Sequence, residues 1–233
     1  SLSNHSDERM RHAKMGNWFA ENPQRSLSNN SICYTEKPDM GAFMREWLAI
    51  YESRSGERGI FNRQACKNML PERRDSDHEF GCNPCSEIVL RPGQFCNLTE
   101  VVALPSDDID SLTDKVRLAT ILGTLQSCLT DFKFLRKGWT DNCEEERLLG
   151  VSITGIYDCP ALRVSSAEML NDLRDSARAV NEKWAKILEI NPSTAITCVK
   201  PSGTVSQLCN SASGIHPRWA HQYIRRVRND KKD

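Results

Sequence analysis

Residues 82–102 read Cys82-Asn83-Pro84-Cys85-Ser86-Glu87-Ile88-Val89-Leu90-Arg91-Pro92-Gly93-Gln94-Phe95-Cys96-Asn97-Leu98-Thr99-Glu100-Val101-Val102. Segments 87–90 and 95–102 are rich in strand-favouring residues and are parted by Pro92-Gly93, so both are predicted strands. Pro84 disfavours helix for Asn83, and 83–87 is read as extended as well. Side chains of an extended segment alternate between faces, which places Asn83, Cys85 and Glu87 on one face and Pro84 and Ser86 on the other. An amide that binds a hydroxyl, a thiol that exchanges hydrogen and a carboxylate that takes a proton are suited to reworking a sugar. A hairpin turning at Pro92-Gly93 would set Cys96 opposite Val89. For Cys85 and Cys96 to reach one substrate, Cys85 must then stand on a loop that projects inward.

Two other readings of Cys82 and Cys85 stay open. The pair forms a C-x-x-C, half of a zinc site, but a structural zinc site needs two more ligands, usually as a second close pair. The next cysteines, Cys96 and Cys143, are single, and the five histidines form no paired motif, so no metal is expected. A redox C-x-x-C usually opens a helix, which the residues after Cys85 suit poorly.

Downstream, a helix is predicted from Ser111, with Leu118, Ile121, Leu122, Leu125, Leu129 and Phe132 as its core-facing stripe. Another begins at Ser165, with Glu168 completing a capping box and Leu170, Leu173, Ala177, Val180, Trp184 and Ile187 as its stripe; Pro192 lies beyond its end. Segments 150–156 and 195–200 are further predicted strands. Upstream, 6–21 reads as a surface helix holding Met10, Ala13, Trp18 and Phe19. Residues 39–52 read as a helix capped by Asp39 and buried through Phe43, Trp47 and Ile50. Much of 53–80 reads as loop. Strands separated by long helices indicate an α/β fold with crossover connections in a single domain.

Lys and Arg total 31, as do Asp and Glu, which argues against nucleic acid or an anionic membrane as main partner. No apolar run is long enough to span a bilayer, and the start, Ser1-Leu2-Ser3-Asn4-His5, carries no signal pattern, so a cytoplasmic location is expected. The ten cysteines are then expected to be reduced thiols, with Cys128 in a helix and Cys198 in a strand as core residues. The end, 225–233, stops in a charged stretch; with the start, it suggests a piece of a longer protein, truncated at both ends.

The segment Cys82-Asn83-Pro84-Cys85-Ser86-Glu87, followed by Cys96-Asn97-Leu98-Thr99-Glu100-Val101, resembles the active-site finger loop and next barrel strand of ribonucleotide reductases. Segments 25–37, 55–63, 145–155 and 200–217 look like further segments of that family in the same order. Cys96 follows Cys85 by eleven positions, a short spacing that resembles the adenosylcobalamin-dependent class, and Cys96-Asn97-Leu98-Thr99-Glu100-Val101 leans towards its monomeric triphosphate reductases. The diphosphate reductases of the superfamily, a different radical generator, and a cysteine-rich metal-binding module remain the alternatives.

The resemblance implies that residues 1–233 form part of the ten-stranded α/β barrel of these enzymes, around a central finger loop. It implies a thiyl radical on Cys85, generated by adenosylcobalamin, that removes the 3′ hydrogen of a ribonucleoside triphosphate. Glu87 would take the 3′-hydroxyl proton, Asn83 would orient the hydroxyls, and Cys96 would be one of two reducing thiols. The second thiol is expected upstream of this chain, in which case residues 1–233 alone should not turn over; Cys33 is assigned a structural role. A thioredoxin-like reductant and a nucleotide effector are implied partners, the effector site not being visible. The run Pro201-Ser202-Gly203-Thr204-Val205-Ser206 follows a predicted strand and resembles the family's substrate phosphate loop, with Ser202, Gly203, Thr204, Val205 and Ser206 as its residues. His216, before Pro217, is read as a structural turn residue.

Overall fold

The computed structural model describes residues 2–224; the charged end at 225–233 lies outside them. The first part of the chain builds a parallel sheet in the order β1 (Leu2–Ser3), β2 (Ser31–Tyr34) and β3 (Gly59–Asn62). The predicted helix over 6–21 is broken into two single turns, α1 (Glu8–Arg11) and α2 (Trp18–Glu21), with Gly16 at positive φ between them. The third helix, α3 (Met40–Ser53), starts where predicted: Asp39 Oδ1 accepts from the Ala42 N–H at 2.9 Å. Its buried face is not the aromatic one. Ala42, Glu46 and Ala49 face inward while Trp47 is 53% exposed. Buried Glu46 lies 2.9 Å from Arg11 Nε and 3.0 Å from Arg58 Nη1, so charge pairing sets this face. The region read as loop also holds β3 and α4 (Arg63–Asn68), which Asn62 caps.

An antiparallel hairpin follows, β4 (Gly81–Cys82) with β5 (Val89–Leu90), in register Gly81↔Leu90 and Cys82↔Val89. The hairpin therefore turns around Cys85. Val89 faces Cys82 rather than Cys96, contrary to the turn expected at Pro92-Gly93, and the predicted strand over 87–90 shortens to two residues.

The second half is a parallel crossover unit: β6 (Asn97–Val102), α5 (Ile109–Gln126), α6 (Lys137–Glu146), β7 (Leu149–Thr154), α7 (Pro160–Arg163) and α8 (Ala167–Ile187). β6 and β7 run parallel from Asn97↔Leu149 to Val102↔Thr154. Segment 195–200 forms one parallel bridge, Val151↔Thr197, beside β7 and not a longer strand. The core joins Val101, Leu112, Val116, Leu149, Val151, Leu173, Ala177 and Ile196. Helices between parallel strands give the α/β character expected. Among the described residues the strands fall into three separate sheets of three, two and two.

The α5 helix buries a different face from the one predicted, whereas α8 keeps the middle of its predicted stripe. Asp108 caps α5, accepting from the Ser111 N–H at 2.9 Å, with Ser111 at the third helical position completing a capping box. The helix buries Leu112, Val116, Thr120, Gly123 and Thr124, whereas Leu118, Leu122, Leu125 and Leu129 are exposed. A polar contact selects this face: buried Asn181 on α8 donates to Thr124 Oγ1 at 3.0 Å and to Ser193 Oγ at 2.9 Å. The helix ends at Gln126, leaving Cys128 exposed beyond it rather than in a helical core. Ser166, not Ser165, caps α8, and the predicted stripe residues Leu170 and Ile187 are exposed while Leu173 and Ala177 are buried.

Candidate active site

The two faces of the β6–β7 sheet have different neighbours. A side chain at Gly123 of α5 would meet Thr99 and Leu149, which identifies the helix-facing side. A Cβ at Gly150 would lie 2.4 Å from Leu98 Cδ2, 3.1 Å from Ile88 Cδ1 and 3.2 Å from Cys198 Sγ. The opposite side thus faces the β4–β5 hairpin, and only glycine at 150 admits that approach. By two-residue alternation Cys96 lies on this side with Leu98, and Cys198 and Lys200 follow one another on it.

Residues 83–86 form a turn, not the extended row expected. Ser86 N–H donates to Asn83 O at 3.0 Å, and Ser86 adopts a positive φ. Asn83 closes the loop from both ends: its N–H donates to Ile88 O at 3.2 Å and its Oδ1 accepts from Ile88 N–H at 3.1 Å. Asn29 Nδ2 donates to Pro84 O at 3.1 Å, tying the tip to the first part of the chain. Cys85 is exposed at this tip.

The turn still brings the thiol and the carboxylate together, through a residue the sequence did not flag. Lys200 Nζ lies 3.6 Å from Cys85 Sγ and 2.9 Å from Glu87 Oε1. The Glu87 side chain is only 3% exposed, and Lys200 is its ion-pair partner. Burial pushes the Glu87 carboxyl upward, but contacts with Lys200, its own backbone N–H and Asn83 outweigh it and hold the group below its ordinary value.

Cys96 and Cys198 sit behind this pair. Burial, reinforced by Cys198 and Glu87, pushes the Cys96 thiol up to about 12. Burial and Glu87 likewise push Cys198 up to about 12, against the pull of Lys200. Cys198, read as a core residue, therefore belongs to the site's surroundings. Its signal was the two-residue step to Lys200 at the end of a predicted strand, just before Pro201.

The hairpin base is fixed by buried charge. Glu146, fully buried at the end of α6, accepts from Arg74 through both oxygens at 2.9 and 2.8 Å and from Gln94 at 2.6 Å, and pairs with Arg91 at 3.0 Å. Arg74 also donates to Val89 O at 2.9 Å.

In the loop at 201–206, Gly203 has positive φ, and Gly203, Thr204 and Val205 are exposed. Ser202 and Ser206 are buried and bonded within the loop: Ser206 N–H donates to Ser202 Oγ at 3.1 Å and Ser206 Oγ to Gly203 O at 2.9 Å. Only a single-turn helix, α9 (Val205–Leu208), follows. His216 lies exposed in a turn closed by its N–H to Ser213 O. Among the described residues no three His, Cys, Asp or Glu side chains gather as a metal site requires, and no helix is long and apolar enough to cross a membrane.

No protein-family model matches the chain. An adenosylcobalamin-dependent ribonucleoside-triphosphate reductase of Lactobacillus acidophilus is 27% identical over 244 residues, covering 90% of this chain and 32% of its own length. The protein of the same name from Lactobacillus leichmannii is 25% identical over 246 residues, with 90% and 32% covered. The crystal structure of a B12-dependent (class II) ribonucleotide reductase shares the fold, with a TM-score of 0.69 and 24% identity over 92% of this chain and 34% of that one. The resemblance read around Cys85 thus extends over nine-tenths of the chain, which spans about a third of the length of these curated relatives.

Proposed function

We propose that this chain forms the thiol-bearing part of an adenosylcobalamin-dependent ribonucleoside-triphosphate reductase, which makes 2′-deoxyribonucleotides by thiyl-radical chemistry. The observation that carries the reading is the convergence of Cys85 and Glu87 at the tip of a short hairpin, with Cys96 on the sheet face behind it. On this reading the hairpin is the finger loop of a ten-stranded barrel, and the β6–β7 unit is part of its wall within one catalytic domain.

Cys85 fits a cofactor that needs an open thiol, because it is exposed at the turn tip; no described residue is assigned to hold the corrin. Adenosylcobalamin, when bound, supplies the radical. As a thiyl, Cys85 takes the 3′ hydrogen of the ribose, since an S–H bond is close in strength to a C–H bond beside a hydroxyl. Glu87, held ionised beside Lys200, accepts the 3′-hydroxyl proton. Asn83 shapes the turn through its backbone and Oδ1, and its amide N–H2 orients the substrate. Cys96 and a second thiol outside this chain become a disulfide as the 2′-hydroxyl leaves as water and hydrogen takes its place. The raised Cys96 keeps its proton at neutral pH, as a hydrogen-delivering thiol must.

Gly203, Thr204 and Val205 offer the exposed part of a phosphate loop, with Ser202 and Ser206 bracing it from inside. A thioredoxin-like protein would re-reduce the disulfide, a nucleotide effector would act from elsewhere, and the enzyme would work in the cytoplasm. The test is turnover by the full-length protein. Ribonucleoside triphosphate should yield deoxynucleotide only when adenosylcobalamin and a dithiol are both present, and Cys96→Ser should stop multiple turnovers. Sustained turnover by Cys96→Ser would overturn the scheme.

A further inference from the structure

Glu87 is a carboxylate buried to 3% exposure, and among the described residues its one ion pair is with Lys200. A charge so placed needs a counter-charge, because desolvation otherwise drives it to protonate. Lys200 is held for that task. Its segment is registered on β7 by the Cys198 N–H to Val151 O bond at 3.0 Å, and its ammonium also stands 3.6 Å from the Cys85 sulfur. It directly precedes Pro201, where the loop with Gly203 and Thr204 begins. The thiol, the carboxylate and that loop thus share one side chain or its immediate neighbours.

We propose that Lys200 is a positioning residue of the site, whose ammonium holds the buried Glu87 carboxylate charged and set beside the Cys85 sulfur. Fixed in this way, the carboxylate keeps its charge within reach of the ammonium that also stands beside the Cys85 sulfur. The other titratable groups around the pair are Cys85, Cys96 and Cys198, of which the last two stay neutral until strongly alkaline pH, and Cys66 and Arg74, which line the same cavity as Glu87. Arg74 is held by Glu146, so Lys200 is the cation paired with Glu87.

The inference rests on the reading of Glu87 as proton acceptor, but its test does not need turnover. In the full chain, the Glu87 carboxyl is titrated by NMR with 13C-labelled glutamate. Lys200→Met should raise the midpoint by about 1–3 pH units, the size of a lost opposite charge, while Lys200→Arg should leave it near the native value. A midpoint unmoved by Lys200→Met overturns the proposal. Glu87→Gln, which removes the buried charge without changing shape, gives an independent arm. The titration of Lys200, followed with 15N-labelled lysine, should fall, because Glu87 now raises it; an unmoved Lys200 overturns the proposal as well. If these shifts occur but the full-length protein reduces no nucleotide, the reductase reading fails and the Lys200–Glu87 couple stands.

Discussion

The β4–β5 hairpin and the β6–β7 unit are held by opposite means. The unit packs Val101, Leu112, Val116, Leu149 and Leu173 between sheet and helices, so apolar burial stabilises it. The hairpin has two strands of two residues each, too short to persist through their own pairing. Arg74, Arg91 and Gln94 gather on Glu146 at its base, and Asn29 reaches its tip. Cys85 is thus carried on a thin element whose geometry is set by directional polar contacts, beside a scaffold held mainly by apolar packing.

Removing Glu146 should break the contrast most severely. Glu146→Ala leaves Arg74 buried without a counter-charge and Arg91 with only the exposed Glu145, a change that typically costs about 3–5 kcal/mol. Denaturant unfolding should show that loss, and hydrogen exchange at Val89 and Leu90 should rise more than in β7. Leu112→Ala attacks the other region. Truncating this fully buried side chain should cost roughly 2–5 kcal/mol, yet leave the alkylation rate of Cys85 under native conditions unchanged. Faster alkylation in this variant would mean that hairpin and scaffold are not separately held.

A smaller effect concerns pH. Cys96 and Cys198 are raised from the ordinary 9.0 to about 12, so the stability they contribute is fully present below about 9 and is lost as pH climbs towards 12. Glu87 lies below its ordinary 4.5, so its contribution is present above that value and lost as pH falls through the folded one. Unfolding curves across pH should therefore fall off at both ends. Replacing both Cys96 and Cys198 with Ala should remove a part of the alkaline loss, and an unchanged alkaline limb would contradict the burial of these thiols.

The α/β class, the cap at Asp39 and the strand segments that become β6 and β7 were legible because they rest on local composition and capping chemistry. The buried faces of α3 and α5 were not. Helical spacing locates apolar stripes, but Glu46 is drawn inward by Arg11 and Arg58, and Thr124 by Asn181, through contacts between residues distant in sequence. At the site, Cys85 and Glu87 were expected in one extended row; the chain turns there instead, and the two meet through Lys200. Lys200 was invisible because a lysine at a strand end normally faces water, and only the fold brings it to Glu87 across more than a hundred residues.

The central claim is that Cys85 is the thiol that opens the reaction, and the most direct measurement is deoxynucleotide formation by the full-length protein carrying Cys85→Ser. The serine hydroxyl keeps the turn's shape but not the weak S–H bond. The account predicts no product above background, with an unchanged unfolding midpoint and circular dichroism spectrum. Measurable deoxynucleotide from this variant, with adenosylcobalamin and dithiol supplied, would contradict it.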